Sequence, residues 1–186
     1  MDPERNRVCP VELANSLDSG LRMWLQNPIK IISPYVREGM VVLDIGCGPG
    51  FFSVEMAKLV GDRGKIISAD LQEGMLKKLR NKIKGTELEQ RIKTVKCDKE
   101  RINVSGKVDF ILAFYMVHEV PDKNFLFKEL KSLLDDKGEF LLVEPKLFHV
   151  SQHEFEMTLR IAENNGFKKY QGPKLPFSRT ALLKNS

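Results

Sequence analysis

One short segment of the chain combines a strand pattern, a carboxylate and three glycines in a way that suits nucleotide binding. Residues 41–50 read VVLDIGCGPG, so that an apolar run containing Asp44 is followed by Gly46, Gly48 and Gly50. The apolar residues predict a strand buried on both faces, as central parallel strands are. Glycines carry no Cβ atom, so a ligand can lie directly on their turn. Because helical patterning begins after the last glycine, the turn precedes a helix amino terminus, where open α/β sheets bind nucleotides.

The spacing of these glycines indicates which nucleotide is bound. Dinucleotide sites use G-x-G-x-x-G with amides that face a pyrophosphate, whereas this chain has G-x-G-x-G. Asp44 precedes the first glycine by two residues, where it would repel a pyrophosphate but attract an ammonium or a sulfonium. The segment from Asp44 to Gly50 resembles the glycine-rich motif of class I S-adenosylmethionine-dependent methyltransferases. The resemblance implies S-adenosylmethionine as cofactor and S-adenosylhomocysteine as product, with Asp44 near the loop amides and the ammonium group.

The elements that must position these residues alternate between strands and helices. We predict strands at 40–45, 65–69, 92–96, 108–114, 139–143, 167–170 and 179–183, helices at 51–60, 72–84, 122–134 and 151–165, and a turn at 136–138. This order predicts an α/β fold with a doubly wound, seven-stranded, mostly parallel sheet, helices on both faces and an antiparallel last strand. The resemblance, which covers roughly residues 36–184, implies the same Rossmann-like methyltransferase fold.

The chain of 186 residues is predicted to form one domain. We divide it into a helical lid segment at 1–35 and an S-adenosylmethionine-binding methyltransferase domain at 36–186. A short helix is expected at 18–26, and another with Pro28 in its first turn. The lid residues expected to border the acceptor pocket offer a thiol, a cation and two aromatic rings: Cys9, Arg22, Trp24 and Tyr35. Trp24 equally fits an apolar helix face that packs into the core.

A second carboxylate ends the next predicted strand. Asp70 follows Gly46 by 24 positions, and a carboxylate can accept hydrogen bonds from both hydroxyls of a ribose. This residue alone would equally suit NAD, and it could also cap the following helix. By the resemblance, Asp70 holds the ribose and Leu71 lies against the adenine.

Cys97 and Asp98 end the third predicted strand. In the family that the chain resembles, an acid at this position accepts a hydrogen bond from the adenine amino group. That family often has Gly-Asp-Ala, whereas this chain has Cys97-Asp98-Lys99, and a surface turn remains an alternative for Asp98. Cys47, inside the glycine turn, is interpreted as a small residue that fits there, because nothing nearby in sequence would lower its pKa.

The candidate acceptor residues follow the fourth strand. The resemblance implies that the segment from Phe114 borders the transferring methyl group, and many small-molecule methyltransferases carry a histidine at the position of His118. We hypothesise that His118 removes a proton from the acceptor and that Glu119 orients it or binds a cationic acceptor. Tyr115 is expected on the same acceptor side. The alternative is that His118 caps the loop and that Glu119 is solvated.

Composition excludes several classes of protein. The net charge of +5 and 42% hydrophobic residues are ordinary for a globular domain. No stretch approaches the roughly 20 apolar residues that a membrane span needs, and the charged amino terminus predicts no secretion signal. Three cysteines without C-x-x-C spacing fit a reducing cytoplasm. No metal site is predicted, because Ser151 separates His149 from His153 as a helix cap and further ligands are missing.

We therefore predict a cytoplasmic enzyme that moves a methyl group to a small-molecule acceptor by in-line displacement. Its pattern is similar to the group of ubiquinone/menaquinone and arsenite methyltransferases, although arsenite chemistry needs thiolates near the sulfonium. Nucleic acid is disfavoured as a partner, because Tyr115 to His118 lack the Asn/Asp-Pro-Pro-aromatic element that base methyltransferases use. An RNA or protein methyltransferase and a catalytically silent cofactor-binding protein remain alternatives. The sequence leaves the acceptor and the oligomeric state open.

Overall fold

The computed structural model describes residues 27–146 and 150–186. Cys9, Arg22 and Trp24, together with the helix expected at 18–26, lie outside the described residues, as does His149. The division of the chain at residue 35 therefore stays a prediction.

Seven strands in the described residues form one sheet in the order β3-β2-β1-β4-β5-β7-β6. Strands β1 to β5 are parallel to one another, and β7 runs antiparallel between β5 and β6. The bounds are β1 Val41–Ile45, β2 Lys65–Asp70, β3 Ile92–Lys96, β4 Val108–Phe114, β5 Leu134–Pro145, β6 Phe167–Gln171 and β7 Ser178–Asn185. The predicted doubly wound, mostly parallel sheet is confirmed, including its antiparallel last strand.

Helices cover both faces of the sheet, as predicted. They are α1 Pro28–Ile32, α2 Phe51–Val60, α3 Glu73–Ile83, α4 Lys123–Leu133 and α5 Gln152–Asn164, with 3₁₀ turns at Glu87–Gln90 and Val117–Glu119. Buried residues of α1 to α3 join one apolar cluster, and those of α4 and α5 join the other. Side chains alternate along β4, so Leu112 packs in the first cluster and Ile111 in the second. This double burial explains the continuous apolar runs of β1 and β4.

The predicted helix ends are present and have local chemical causes. Asp122 caps α4 by accepting a hydrogen bond from the amide of Phe125. Ser151 and Glu154 form a capping box at the start of α5, which satisfies two amides that the helix leaves without a partner. Gly166 follows the end of α5 with φ +86°, a conformation that glycine adopts without strain.

Strand β5 begins earlier than the sequence predicts. It starts at Leu134 rather than Glu139, and the predicted turn at 136–138 lies inside it. Val108 pairs with Leu134 and Phe110 pairs with Glu139, so two steps along β4 match five along β5. The excess residues bulge out of the ladder. The predicted turn at 136–138 is therefore wrong, because these residues lie at the interruption of the ladder inside one continuous strand.

Tyr35 was expected to border the acceptor pocket, and this prediction is wrong. Its ring stacks on Phe110 at 5.6 Å, and burial together with the charge of Glu139 raises its pKa. Glu139 pairs with Phe110 in the first half of β4, whereas Phe114 ends that strand. Tyr35 therefore packs toward the amino end of β4, away from the edge where the acceptor residues lie.

Candidate functional site

The carboxyl ends of the parallel strands lie at one edge of the sheet, and they bring the predicted site residues together. Strand β1 leads into the glycine turn, β2 ends on Asp70, and β4 ends on Phe114. Strand β5 ends at Pro145, opposite Ser178 at the start of the antiparallel β7. The amides of Gly46 and Cys47 both donate to the carbonyl of Ala69, at 2.8 and 3.1 Å, and fix the turn to β2.

The three glycines of the turn face different surroundings, although all have positive φ. A Cβ on Gly46 would lie 2.7 Å from Cγ of Met116, and one on Gly50 would overlap Cδ1 of Leu79. A Cβ on Gly48 would meet nothing within 4 Å. The missing Cβ of Gly48 therefore faces open space, and a ligand in that space stays a prediction. At Gly46 and Gly50 the missing Cβ atoms make room for packed side chains.

Asp70 lies between the glycine turn and the start of α3. It is 8% exposed, and its two carboxylate oxygens accept from the amides of Gly48 at 2.9 Å and Gln72 at 2.8 Å. Burial raises the pKa of Asp70 despite these hydrogen bonds. Gln72 is the cap residue of α3, so Asp70 is not the cap itself. Each carboxylate oxygen has a second lone pair, which leaves acceptor capacity for a ligand.

The residues predicted at the adenine end lie at the same edge. Leu71 exposes 39% of its surface directly after Asp70. The amide of Cys97 donates to the carbonyl of Asp70 at 2.9 Å, which joins the ends of β2 and β3. Asp98 is exposed in a turn and accepts a hydrogen bond from Asn103 at 2.8 Å. Its contact with adenine stays a prediction.

Asp44 is buried at the end of β1 with partners that sequence reasoning missed. Its carboxylate accepts from the Ser53 hydroxyl at 2.5 Å, and Ser53 in turn accepts from Ser68 at 2.8 Å. These hydroxyls lie on α2 and β2, so the chain of hydrogen bonds connects three elements beneath the turn. The role expected for Asp44 toward the loop amides and an ammonium group stays a prediction.

His118 is held by a carboxylate from the end of β5. Glu144 is 1% exposed and contacts Nδ1 of His118 at 2.5 Å, while its other oxygen accepts from the amide of Val117 at 2.9 Å. Glu119 lies 4.0 Å from Nε2. Burial alone lowers the pKa of His118, but the hydrogen bond and charge of Glu144, with the charge of Glu119, outweigh it and raise that pKa.

This arrangement specifies what each imidazole nitrogen can do. When Nδ1 carries a proton and donates to Glu144, Nε2 of the neutral ring is the basic atom. Glu144 also stabilises the cation that forms when Nε2 takes up a proton. No catalytic or positioning role was predicted for Glu144 from the sequence. The signal that could have identified it is its position, because it follows a buried strand as Asp70 does.

Tyr115 and Phe114 form an aromatic surface at the end of β4. Their ring centroids are 4.4 Å apart, and Phe114 also contacts Phe52 at 4.5 Å. Tyr115 has φ +59°, an uncommon conformation for a large residue, and its hydroxyl lies 2.6 Å from that of Ser178. This contact ties the loop after β4 to the start of β7, which the sequence did not predict.

The described cysteines do not have the chemistry of reactive thiols. Burial, helped by nearby carboxylates, raises the pKa of Cys47 well above its ordinary value and that of Cys97 to about 12. Within 27–146 and 150–186, no group of three or more His, Cys, Asp or Glu residues could hold a metal ion. In the same ranges, no helix has the length and apolar character needed to cross a membrane.

Known proteins resemble this chain in sequence. A family model described as a methyltransferase domain matches residues 36–174. The ubiquinone/menaquinone biosynthesis C-methyltransferase UbiE of Shewanella frigidimarina is 28% identical over 134 residues, which are 72% of this chain and 51% of that protein. The chain thus spans about half the length of the curated relatives that it matches.

Solved structures share the fold. A methyltransferase from Aquifex aeolicus described as dependent on S-adenosylmethionine superposes with a TM-score of 0.83 at 24% identity, over 95% of this chain and 98% of that one. The magnesium protoporphyrin IX methyltransferase of Synechocystis, solved with bound S-adenosylmethionine, has a TM-score of 0.61 at 18% identity, over 95% of this chain and 79% of that one.

Proposed function

The chain belongs to the family of S-adenosylmethionine-dependent methyltransferases, and on that premise we propose that it transfers a methyl group to a small-molecule acceptor. The proposal depends on how one edge of the sheet combines two kinds of group. One end of the site has the open position above Gly48 and the buried carboxylate of Asp70, and the other end has the His118–Glu144 pair. The curated relatives, which are named for ubiquinone/menaquinone biosynthesis, support a small molecule as the acceptor.

The residues present fit S-adenosylmethionine. Gly48 leaves room above the turn, Asp70 keeps acceptor capacity for ribose hydroxyls, and the exposed Leu71 offers an apolar surface for a purine. Asp98 would add a hydrogen-bond acceptor for the amino group of that purine. When bound, the cofactor supplies a methyl group on a positively charged sulfur.

The acceptor side provides a base and an aromatic wall. His118, with Nδ1 held by Glu144, takes the acceptor's proton at Nε2, and Glu119 stabilises the resulting charge. Tyr115 and Phe114 exclude water and orient the acceptor. Because the pKa of His118 is raised, the neutral form that acts as base becomes abundant only toward higher pH.

Calorimetric titration of the purified chain tests the cofactor part of the proposal. S-adenosylhomocysteine should bind, NAD should not, and Asp70→Ala should lower the affinity for S-adenosylhomocysteine. Glu73→Ala removes an exposed carboxylate from the next helix and is the matched control. Binding of NAD in place of S-adenosylhomocysteine would overturn the assignment.

Transfer of labelled methyl groups tests the acceptor class. S-adenosylmethionine carrying a tritiated methyl is incubated with the enzyme and the small-molecule, RNA or protein fraction of a cell extract. Label should enter the small molecules. His118→Ala should slow this transfer by about 10²–10⁴-fold with cofactor affinity kept, whereas His153→Ala on α5 should not. Label in RNA or protein would show that the acceptor is a macromolecule and not a small molecule. Cofactor binding without transfer to any fraction would favour a catalytically silent cofactor-binding protein.

A further inference from the structure

An open groove of about 740 Å³ lies between α5 and the connection from β6 to β7. Its described lining has an apolar part from both sides, with Phe155 and Leu159 on the helix and Leu175 on the connection. The lining also contains four basic residues, which are Lys146, Lys169, Lys174 and Arg179. Such a surface suits a ligand with an apolar body and an anionic group.

The groove adjoins the candidate acceptor site. Ser178 lines the groove and also contacts the hydroxyl of Tyr115. Arg179 pairs in register with Glu144, the carboxylate that holds His118. A molecule that occupies the groove therefore lies beside the residues assigned to the acceptor.

The described lining carries an excess of positive charge. Glu156 is its acidic member and lies 3.4 Å from Lys169, so this pair largely cancels. Lys146, Lys174 and Arg179 remain as the excess. Such a concentration of one charge sign in a concave surface attracts anions.

Arg179 is already oriented without a ligand. Its Nε donates to the carbonyl of Val150 at 3.1 Å, and Nη1 donates to the side-chain oxygen of Gln152. The amide of Gln152 is held in turn by Glu156 at 2.9 Å. A guanidinium held in this way loses little conformational entropy on binding, and the N–H groups that these two bonds leave can donate to a carboxylate or a phosphate.

The opposite wall is also fixed by hydrogen bonds. The amide of Lys146 donates to the carbonyl of Phe177 at 2.8 Å, and the hydroxyl of Thr180 donates to the carbonyl of Pro173 at 2.6 Å. These contacts hold both ends of the segment that carries Lys174. The groove is thus bounded by ordered backbone on the side that faces α5.

We propose that this groove binds the anionic group of the methyl acceptor, so that the acceptor is a small molecule with an apolar body and a carboxylate or phosphate. The inference rests on the proposed function, because it assigns a chemical class to the acceptor of that reaction. A small anion is favoured over a nucleic acid because the excess cations converge on one groove with apolar walls rather than following a backbone along the surface.

The experiment measures binding of three related probes to the full chain saturated with S-adenosylhomocysteine. Phenyl phosphate and benzoate carry an anion on an aromatic ring, and benzyl alcohol is their neutral counterpart. NMR titration should give shifts at groove residues for one or both anions and weaker binding of the alcohol. Comparison of the two anions distinguishes a phosphate from a carboxylate acceptor.

Charge variants assign the effect to the groove. Lys146→Gln and Arg179→Gln should each weaken anion binding by about fivefold or more, and Arg179→Lys should recover part of it. Lys168→Gln removes the same charge from an exposed position on β6 that does not line the groove, and it should bind the anions as the wild type does. Lys146 makes the test independent of any destabilisation caused by changing Arg179.

The outcomes separate this inference from the proposed function. Equal binding of the alcohol, retained anion binding in both Lys146→Gln and Arg179→Gln, or binding of an RNA oligonucleotide in preference to the anions would overturn the groove assignment. Each of these results is compatible with normal binding of S-adenosylhomocysteine. Failure to bind S-adenosylhomocysteine would instead refute the proposed function.

Discussion

Substitution of Gly48 by alanine adds one methyl group at the position of the glycine turn that faces open space. Gly48 has φ +53°, and a Cβ built there meets nothing within 4 Å. The left-handed backbone makes alanine cost about 1–2 kcal/mol in the free energy of unfolding. If the cofactor lies on the turn as proposed, the added methyl also occupies ligand space.

Gly39 offers a matched control in the turn before β1. It has φ +83° and likewise nothing within 4 Å, so Gly39→Ala should cost the same roughly 1–2 kcal/mol. Only Gly48→Ala should weaken the binding of S-adenosylhomocysteine. One methyl group forced into a packed contact costs about 1–3 kcal/mol, which corresponds to an increase in Kd of about 5- to 150-fold.

Gly50 provides the opposite case within the same turn. Its Cβ would overlap Leu79, a buried side chain of α3, so the added methyl has a clash inside the protein. Backbone strain and overpacking together should lower the free energy of unfolding of Gly50→Ala by about 2–5 kcal/mol. Gly50→Ala should therefore be the least stable of the three variants.

Two measurements test whether the ligand lies above Gly48. Urea unfolding gives the stability of each variant, and calorimetric titration gives its affinity for S-adenosylhomocysteine at a temperature where all three are folded. Wild-type affinity in Gly48→Ala, or an equal loss in Gly39→Ala, would refute the argument that the ligand lies above Gly48.

Three further predictions concern buried groups at the same edge of the sheet. Glu144→Gln removes the charge that raises the pKa of His118, so the imidazole should titrate at lower pH in an NMR titration. The acidic limb of the pH–rate profile should also move to lower pH, and an unchanged profile would contradict the proposed role of His118. Ser53→Ala leaves the carboxylate of Asp44 with one hydrogen bond fewer, so the free energy of unfolding should fall by about 1–3 kcal/mol. Ser132→Ala is the exposed control, and equal stability of the two variants would contradict this prediction. With a pKa of about 12, roughly 10⁻⁴ of Cys97 is thiolate at about pH 8. In a Cys9→Ser background, iodoacetamide should therefore modify Cys97 roughly 10³-fold more slowly than it modifies free cysteine. Rapid modification of Cys97 in the native protein would contradict its burial.

Much of the fold was predictable because local signals coincide with tertiary burial. Strands β3 and β4 have the predicted bounds, and Asp122 and Ser151 cap the helices predicted for them. Strand β5 is the exception, since Asp-Lys-Gly at 136–138 has the composition of a turn but lies inside the strand. Whether pairing continues beyond a turn depends on the neighbouring strand β4, which no local pattern specifies.

The sequence predicted candidate site residues only where a strand end or the family resemblance pointed to them. Asp70 was predicted from its strand end and His118 from the family resemblance. The structure brings both to one edge of the sheet, and their roles stay predictions. Glu144 as a partner of His118 was missed, because the contact joins residues 26 positions apart, one in the 3₁₀ turn after β4 and one in β5. The packing of Gly46 against Met116 was missed for the same reason, since both contacts depend on how strands pair across the sheet.

The placement of β7 inside the sheet has a consequence for how the chain assembles. Strand β6 precedes β7 in the chain, yet its ladder partner in the described sheet is β7. During synthesis β6 therefore emerges before the strand that attaches it to the rest of the sheet. We expect strands β1 to β5 to pair first and the β6–β7 hairpin to dock as a late unit. The wall of the groove would then be the last part of the molecule to become ordered, and the first to loosen when the hairpin is weakened.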